Sequence, residues 1–359
     1  MRVLMQNRFD AYRVYGGDTA QMLKTQEHLK RLGVDVSISL EATPDLSGYD
    51  IVHLFNITRI HETYVQFKNA KKQNKKIALS TIYIDFTEYD KKGRYGMGGL
   101  LAGSLKKDYF EVVKYLADSG KDVNSYSAIF RMLKVGYANQ QKEVLAGAHI
   151  LLPNSEMEYK KIVEDFNITN RYVVVPNGID QVVCQDECVF GRKEDAVLCV
   201  GRIEPRKNQL NLVRALKGTG IKLYLAGKVH KKQKRYGNKV LKGLEEINGT
   251  YLGHPKELGS VYAKVKVHCL PSWFETTGLV SLEAALYGCS VVSTDRGFAY
   301  EYLGDDAWYC SPDDTASIRD AIMQAMKAPL NTRLRDTILE KYTWQNAARK
   351  TLEAYEQIL

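Results

Sequence analysis

The stretch AVLCVGRIEPRKNQLNLVRAL, residues 196–216, decides the fold. Ala196–Val200 is an unbroken apolar run of strand length, closed by Gly201. Charged residues crowd the turn from Arg202 to Lys207, and a helical pattern follows over about 208–216. Strand, glycine turn and helix in that order are half of a βαβ unit, so the sheet they build is parallel. Leu223–Ala226, Val265–Leu270, Ser290–Ser293 and Ala307–Cys310 continue the pattern as strands, with helices at about 256–264, 279–287 and 314–327.

The same alternation runs upstream. Arg2–Met5 reads as a strand, Gly16-Gly17 as a loop, and a helix runs on to about Leu32, capped by Asp18 or Thr19 and ended by Gly33. Strands follow at Val34–Ile38, Ile51–Phe55, Ile77–Ile82, Ile150–Leu152 and Tyr172–Val175, with helical stretches around 106–117 and 126–146. Asp85–Ser104, rich in Gly, Tyr and Lys, is a long loop, and long loops in compact domains usually serve function. Pro176-Asn177-Gly178 is a turn signal, and Gln181–Asp195 has no clear period. The domain boundary therefore falls at 180, with one domain over 1–180 and another over 181–342. The expected fold class is α/β, with two doubly wound domains facing a cleft. Ligands of such sheets bind beyond the carboxyl ends of the strands, so the loops there matter most.

Composition narrows the class. The chain has 359 residues, 45% hydrophobic and 26% charged, which excludes a disordered chain. No apolar run reaches membrane-spanning length, and MRVLMQNRFD has no signal-peptide core, so a cytoplasmic location is expected. Cys199, Cys269, Cys289 and Cys310 sit in or beside apolar runs and read as buried thiols. Cys184 and Cys188 lack a second ligand pair, so no metal site is expected. The net charge is +9, from 51 basic and 42 acidic residues. Without a finger, an RNA-binding sheet motif or a long basic helix, the excess argues against nucleic acid and for a phosphorylated small molecule or an anionic membrane surface. Lys68, Lys71, Lys72, Lys75 and Lys76 read either as a solvated helix face or as a peripheral contact with such a membrane.

Four constellations carry chemistry. Gly201, Arg202, Glu204, Arg206 and Lys207 follow a strand and open a helix, where glycine admits close backbone approach and the cations suit a phosphate. Alone, this run reads equally as a solvated basic turn. Glu275 and Glu283 flank the start of a nearly apolar helix. A carboxylate buried there needs a partner, either sugar hydroxyls or a structural cation. The N–H groups from Thr277 through Gly278 to Leu279 suit a phosphate. Gly16-Gly17 is not a dinucleotide fingerprint, and serves as a plain turn or a phosphate-facing loop. Thr294–Glu301 is a charged loop after a strand, lining the cleft or simply solvated.

The runs VGRIEPRKNQLNLVRAL and PSWFETTGLVSLEAALYGCSVVSTDRG closely resemble family-4 retaining glycosyltransferases of GT-B fold. Their paired-glutamate signature stands here as Glu275 and Glu283, and their arginine–lysine signature as Arg202 and Lys207. PNGID at 176–180 resembles the family's interdomain segment. Tyr342-Thr343-Trp344 with the final helix resembles a tail, 343–359, that packs back on the first domain. The resemblance is strong over about 170–359 and weaker before it.

It implies that Arg202 and Lys207 hold a donor diphosphate, that Glu283 binds the nucleotide ribose and that Glu275 lies by the donor sugar. Backbone near Gly201, Thr277, Gly278 and Leu279 would meet sugar or phosphate, and Gly17 would let the first domain approach. Arg202, Lys207 and Glu275 are then the catalytic candidates, with no metal and no cofactor beyond the nucleotide-sugar donor. The acceptor is a hydroxyl on a glycan, a lipid-linked group or a small molecule. A sugar-nucleotide epimerase of the same fold and an inactive binding subunit are the competing readings. Two departures from the family stand out. The loop Thr81–Phe86 lacks its histidine, leaving Tyr83, Asp85 or His53 as substitutes, and Phe298 follows Gly297 where the family has a second glycine, which narrows the expected sugar pocket.

Overall fold

The computed structural model describes residues 1–95, 110–112, 130–180, 191–255 and 257–359. The described residues fall in two compact units. One lies within Met1–Ile84, Ser104–Gly178 and Trp344–Leu359, the other within Asp85–Gly103 and Ile179–Thr343. In this division the C-terminal helix groups with the first unit and the described residues after Ile84 with the second.

The first unit runs β1 (Arg2–Gln6), α1 (Gly17–Arg31), β2 (Asp35–Ser39), β3 (Ile51–Phe55), α2 (Ile60–Lys72), β4 (Lys76–Ser80), α3 (Tyr137–Gly147), β5 (Ile150–Leu151) and α4 (Glu156–Phe166). Its sheet is parallel in the order β2-β1-β3-β4-β5. Leu54, Ile77 and Leu79 from the strands pack with Phe67, Val144 and Leu145 from the helices. Burial on both faces explains why these strands read as continuous apolar runs. The C-terminal helix Trp344–Glu356 lies on α1 and closes the unit.

In the second unit come β6 (Glu194–Val200), α5 (Gln209–Leu216), β7 (Lys222–Ala226), α6 (Lys234–Glu246), β8 (Thr250–Tyr251), α7 (Gly259–Lys264), β9 (Val265–Leu270), α8 (Leu279–Leu286), β10 (Ser290–Thr294), β11 (Trp308–Cys310), α9 (Thr315–Lys327) and α10 (Arg333–Lys341). The sheet order is β11-β10-β9-β6-β7-β8, all parallel. Strand order reverses between β6 and β9 here, and between β1 and β3 in the first unit. Doubly wound sheets place ligands beyond such switch points.

Several expectations need correction. Asp18 and Thr19 do not cap α1. Gly16 holds the cap position, and Asp18 turns to Arg8 instead. Tyr172–Val175 is not a strand but a single bridge from Tyr172 to Leu151. The helix α6 went unread because Gly237 and Gly243 interrupt a heavily charged run; its buried side, Tyr236, Val240 and Leu244, still keeps helical spacing. The expected helix at 106–117 lies largely outside the described residues, as do residues 96–104 of the expected loop Asp85–Ser104 and both Cys184 and Cys188. The other four cysteines are free and buried.

Candidate functional site

At the carboxyl end of β6 the chain turns through Gly201, whose N–H donates to Ala226 O at 2.9 Å. The neighbouring Gly227 has φ of +141°, and a Cβ there would lie 2.0 Å from Gly201 O. Only glycine fits, so the ends of β6 and β7 are clamped together. Pro205–Lys207 then makes one 3-10 turn, and Asn208 donates from its side chain to Pro271 O at 3.0 Å and Pro312 O at 2.7 Å. That amide ties the loop after β6 to the loops after β9 and β11.

The tie brings Lys207 to Glu275. Nζ lies 2.5 Å from Oε1, with the two side chains only 14% and 7% exposed. Burial alone would raise the Glu275 carboxyl. Lys207, Arg206 and the hydrogen bond from Lys207 outweigh it and hold the carboxyl below the usual range. The Lys207 stem runs 3.7 Å from the place a Gly201 Cβ would take. Glu275 is also fixed by backbone: its O accepts from Phe298 N at 2.8 Å, and a Cβ on Gly297, at φ +93°, would sit 2.2 Å from that same O. Arg202 is the open cation here, 41% exposed.

Thr277 is buried, and Gly278 caps α8 at φ +71° with no side-chain cap bond. Leu279 begins the helix, so its first N–H groups have no carbonyl one turn back. Glu283 lies in the second turn, where Tyr262 donates to its Oε2 at 3.3 Å. Among the described residues no cation pairs with it. Burial pushes this carboxyl up to about 7.

Of the residues picked from the sequence, Gly201, Arg202, Lys207, Glu275, Thr277, Gly278, Leu279 and Glu283 all belong to the second unit. Gly17 belongs to the first, where it opens α1 and a Cβ in its place would meet nothing within 4 Å. The substitutes for the missing histidine are otherwise engaged. His53 bridges Tyr355 Oη at 2.7 Å and Ser80 Oγ at 2.9 Å, tying the C-terminal helix to the sheet, and burial lowers its pKa to about 3. Tyr83 donates to Asp165 at 2.6 Å, and Asp85 accepts from Thr87 in a local turn. Phe298 is buried edge-to-face on Phe274, with centroids 5.2 Å apart. Among the described residues no three His, Cys, Asp or Glu side chains gather as a metal site requires.

Residues 194–328 match the family model described as glycosyl transferases group 1. Over that stretch the chain is similar to the group 1 glycosyl transferases. Over 239 residues the chain is 25% identical to the MMP alpha-(1->4)-mannosyltransferase of Mycolicibacterium hassiacum, covering 62% of this chain and 58% of that protein. It is 27% identical over 236 residues to the O-antigen chain mannosyltransferase B of Escherichia coli, covering 60% and 62%. The match therefore spans less than two thirds of either relative. Among solved structures, sucrose-phosphate synthase from Thermosynechococcus elongatus superposes with a TM-score of 0.74 at 15% identity, over 99% of this chain and 98% of that one. Anabaena HepE in complex with UDP gives 0.70 at 12%, over 99% and 100%. At these identities the likeness is one of fold. The fold that the chain shares with them is GT-B, two parallel-sheet α/β domains.

Proposed function

We propose that the chain is a retaining, metal-independent glycosyltransferase that moves a hexosyl group from a nucleoside-diphosphate sugar to an acceptor hydroxyl. The observation that carries this is the convergence of Arg202, Lys207 and Glu275 beyond the β6/β9 switch point, in a stretch similar to the group 1 glycosyl transferases. Arg202 and Lys207 supply the charge that a leaving diphosphate needs, without a metal. Glu283, lacking a cation, takes the ribose hydroxyls as donors. Glu275, held by Lys207, faces the donor sugar. In this reading the acceptor attacks the face the diphosphate leaves, and a phosphate oxygen takes the acceptor proton. The names of both curated relatives support a hexosyl donor.

The test starts from a thermal-shift screen of nucleoside diphosphates and their sugars, since a ligand of the folded state raises apparent stability. The stabilising donor is then assayed in EDTA with an acceptor panel, and the new anomeric bond is read by NMR. Retention of configuration in EDTA is expected. An inverted product, a strict metal requirement, or interconversion of the donor sugar without transfer would each replace this reading.

A further inference from the structure

The acid inside the cation loop has no role in the transfer as proposed. Glu204 Oε1 accepts from Arg206 Nη2 at 3.2 Å, while Oε2 lies 3.7 Å from Arg202 Nε. One carboxylate therefore stands between two guanidiniums. Glu204 is 12% exposed where Arg202 is 41% exposed. Burial would lift the Glu204 carboxyl, but Arg206, then Arg202 and Lys207, hold it below its usual range.

Arg206 is the fixed end of this chain of contacts. Its backbone O accepts from Trp273 N at 2.9 Å. The segment after Ile84 lies over the same place. Tyr89 packs 6.5 Å from the Trp273 ring, and a Cβ on Gly93 would lie 2.6 Å from it. Glu88–Arg296 at 2.8 Å and Lys92–Asp313 at 3.0 Å pin that segment to the loops after β10 and β11. Arg206 thus packs inward, Glu204 rests on Arg206, and Arg202 has no other side-chain partner among the described residues.

We propose that Glu204 is a positioning residue: anchored on Arg206, it holds the Arg202 guanidinium by its Nε edge and leaves the terminal nitrogens free for the donor diphosphate. A long, half-open arginine otherwise spreads over many rotamers, and its forked geometry works only when aimed. A carboxylate beside a diphosphate repels it in the ground state. Its benefit lies in orientation, which counts where charge develops. The inference rests on the diphosphate reading of this loop.

Glu204→Gln keeps the shape and removes the charge. Affinity for uridine, guanosine and adenosine diphosphate is read by calorimetry, and turnover by donor hydrolysis at saturating donor. The expected result is unchanged or severalfold tighter binding of the preferred diphosphate, with at least tenfold lower kcat. Glu204→Gln/Arg206→Met removes the partly buried guanidinium along with its partner, so no charge is left unpaired there if the single variant fails to fold. Its turnover stays low if Glu204 acts through Arg202. Full recovery in the double variant, or wild-type turnover in the single one, overturns the proposal and leaves only a buried pair. Failure of the wild-type protein to bind any of the three diphosphates would instead remove the diphosphate reading itself, and this inference with it.

Discussion

Beyond β1 and β3 of the first unit, Arg8 is 6% exposed and lies 2.7 Å from Asp18 and 2.6 Å from Asp10, while Arg59 reaches Asp10 at 3.1 Å. Asn56 and Thr19 add further hydrogen bonds to Asp18 and Arg8. Beyond β6 and β9 of the second unit, Arg202 and Arg206 face Glu204 and Lys207 faces Glu275, and among the described residues Glu283 faces no cation. Both places are switch points of parallel sheets, and both are dense in charge. In the first, Arg8 and Arg59 close on Asp10, Asp18 and Glu62 and brace the loop before α1. In the second, Arg202 and Arg206 share one acid, and Glu283 has the Tyr262 hydroxyl beside it in place of a cation. The first arrangement braces a loop; the second is where the proposed donor would bind.

The largest expected effects test this contrast directly. Arg8→Ala and Lys207→Ala each break a buried ion pair, and an uncompensated buried charge costs about 3–5 kcal/mol. Each should lower the melting temperature by about 10 °C, at roughly 2–4 °C per kcal/mol. No local pattern warns that Lys207→Ala damages the fold, because its partner Glu275 is distant along the chain. Lys207→Met/Glu275→Gln removes both charges and should regain much of that stability without regaining donor turnover. Nucleoside-diphosphate affinity separates the two units: it should be lost in Lys207→Ala and kept in whatever fraction of Arg8→Ala remains folded. Loss of affinity in Arg8→Ala would show that the first unit's network also serves the ligand. Both pairs should also fail in acid. Asp18 and Glu275 are held below their usual ranges, so their contribution is present above the unfolded values and disappears as pH falls through the lower, folded ones.

Much of the second unit was legible because its strands are buried on both faces and its turns are glycine-marked. Gly201, Gly278 and Gly297 stand where φ is positive or where a Cβ would strike a neighbouring carbonyl. The contacts of Glu204 were not legible because only the folded loop brings Arg202 and Arg206 to its carboxylate. Asp18 read as a helix cap because its spacing to α1 is right; what redirects it is a buried arginine supplied by the preceding loop, and local propensity yields to such a partner. Phe298 read as a wall of the sugar pocket, since nothing in the sequence pairs it with Phe274. The grouping of the segment after Ile84 with the second unit rests on Glu88, Tyr89 and Lys92 contacts more than a hundred residues away. No periodicity records such contacts.

Glu283→Gln gives an intermediate effect of opposite sign in two measurements. With an ordinary value of 4.5 and a folded value of about 7, the folded protein keeps a proton here that the unfolded chain has released. Stability therefore falls as pH rises through that window, and the cost is complete above about 7. The ligand-free glutamine variant should melt higher than wild type at pH 8 and alike at pH 5. Nucleoside-diphosphate binding should weaken by about 1.5–3 kcal/mol, the worth of a charged hydrogen-bond partner. In wild type at pH 6, ribose hydroxyls favour the ionised carboxylate, so binding should release protons, measured as a buffer-dependent heat. Unchanged affinity together with no proton release would show that Glu283 is not the ribose site.

The smallest effect belongs to the surface of the first unit. Lys68 lies 2.6 Å from Glu143 and Lys75 donates to Tyr49 O at 2.8 Å, so part of the basic cluster on and after α2 is internally matched. By the same contrast, this face should behave as solvated structure. Lys68→Ala should change stability by only about 0.2–1 kcal/mol, because both partners are exposed and screened. Lys71, Lys72 and Lys76 remain for an anionic surface, at about 1 kcal/mol each near a charged leaflet. That is marginal for binding without an apolar anchor, and no described helix is long and apolar enough to cross a membrane. Flotation with vesicles rich in phosphatidylserine should leave most of the protein unbound at about 0.15 M salt, where exposed charges are screened beyond about 8 Å. If it floats there, and a Lys71→Gln/Lys72→Gln/Lys76→Gln variant does not, the cluster is a membrane contact, and internal matching of nearby charge is a poor guide to where this unit meets its partners.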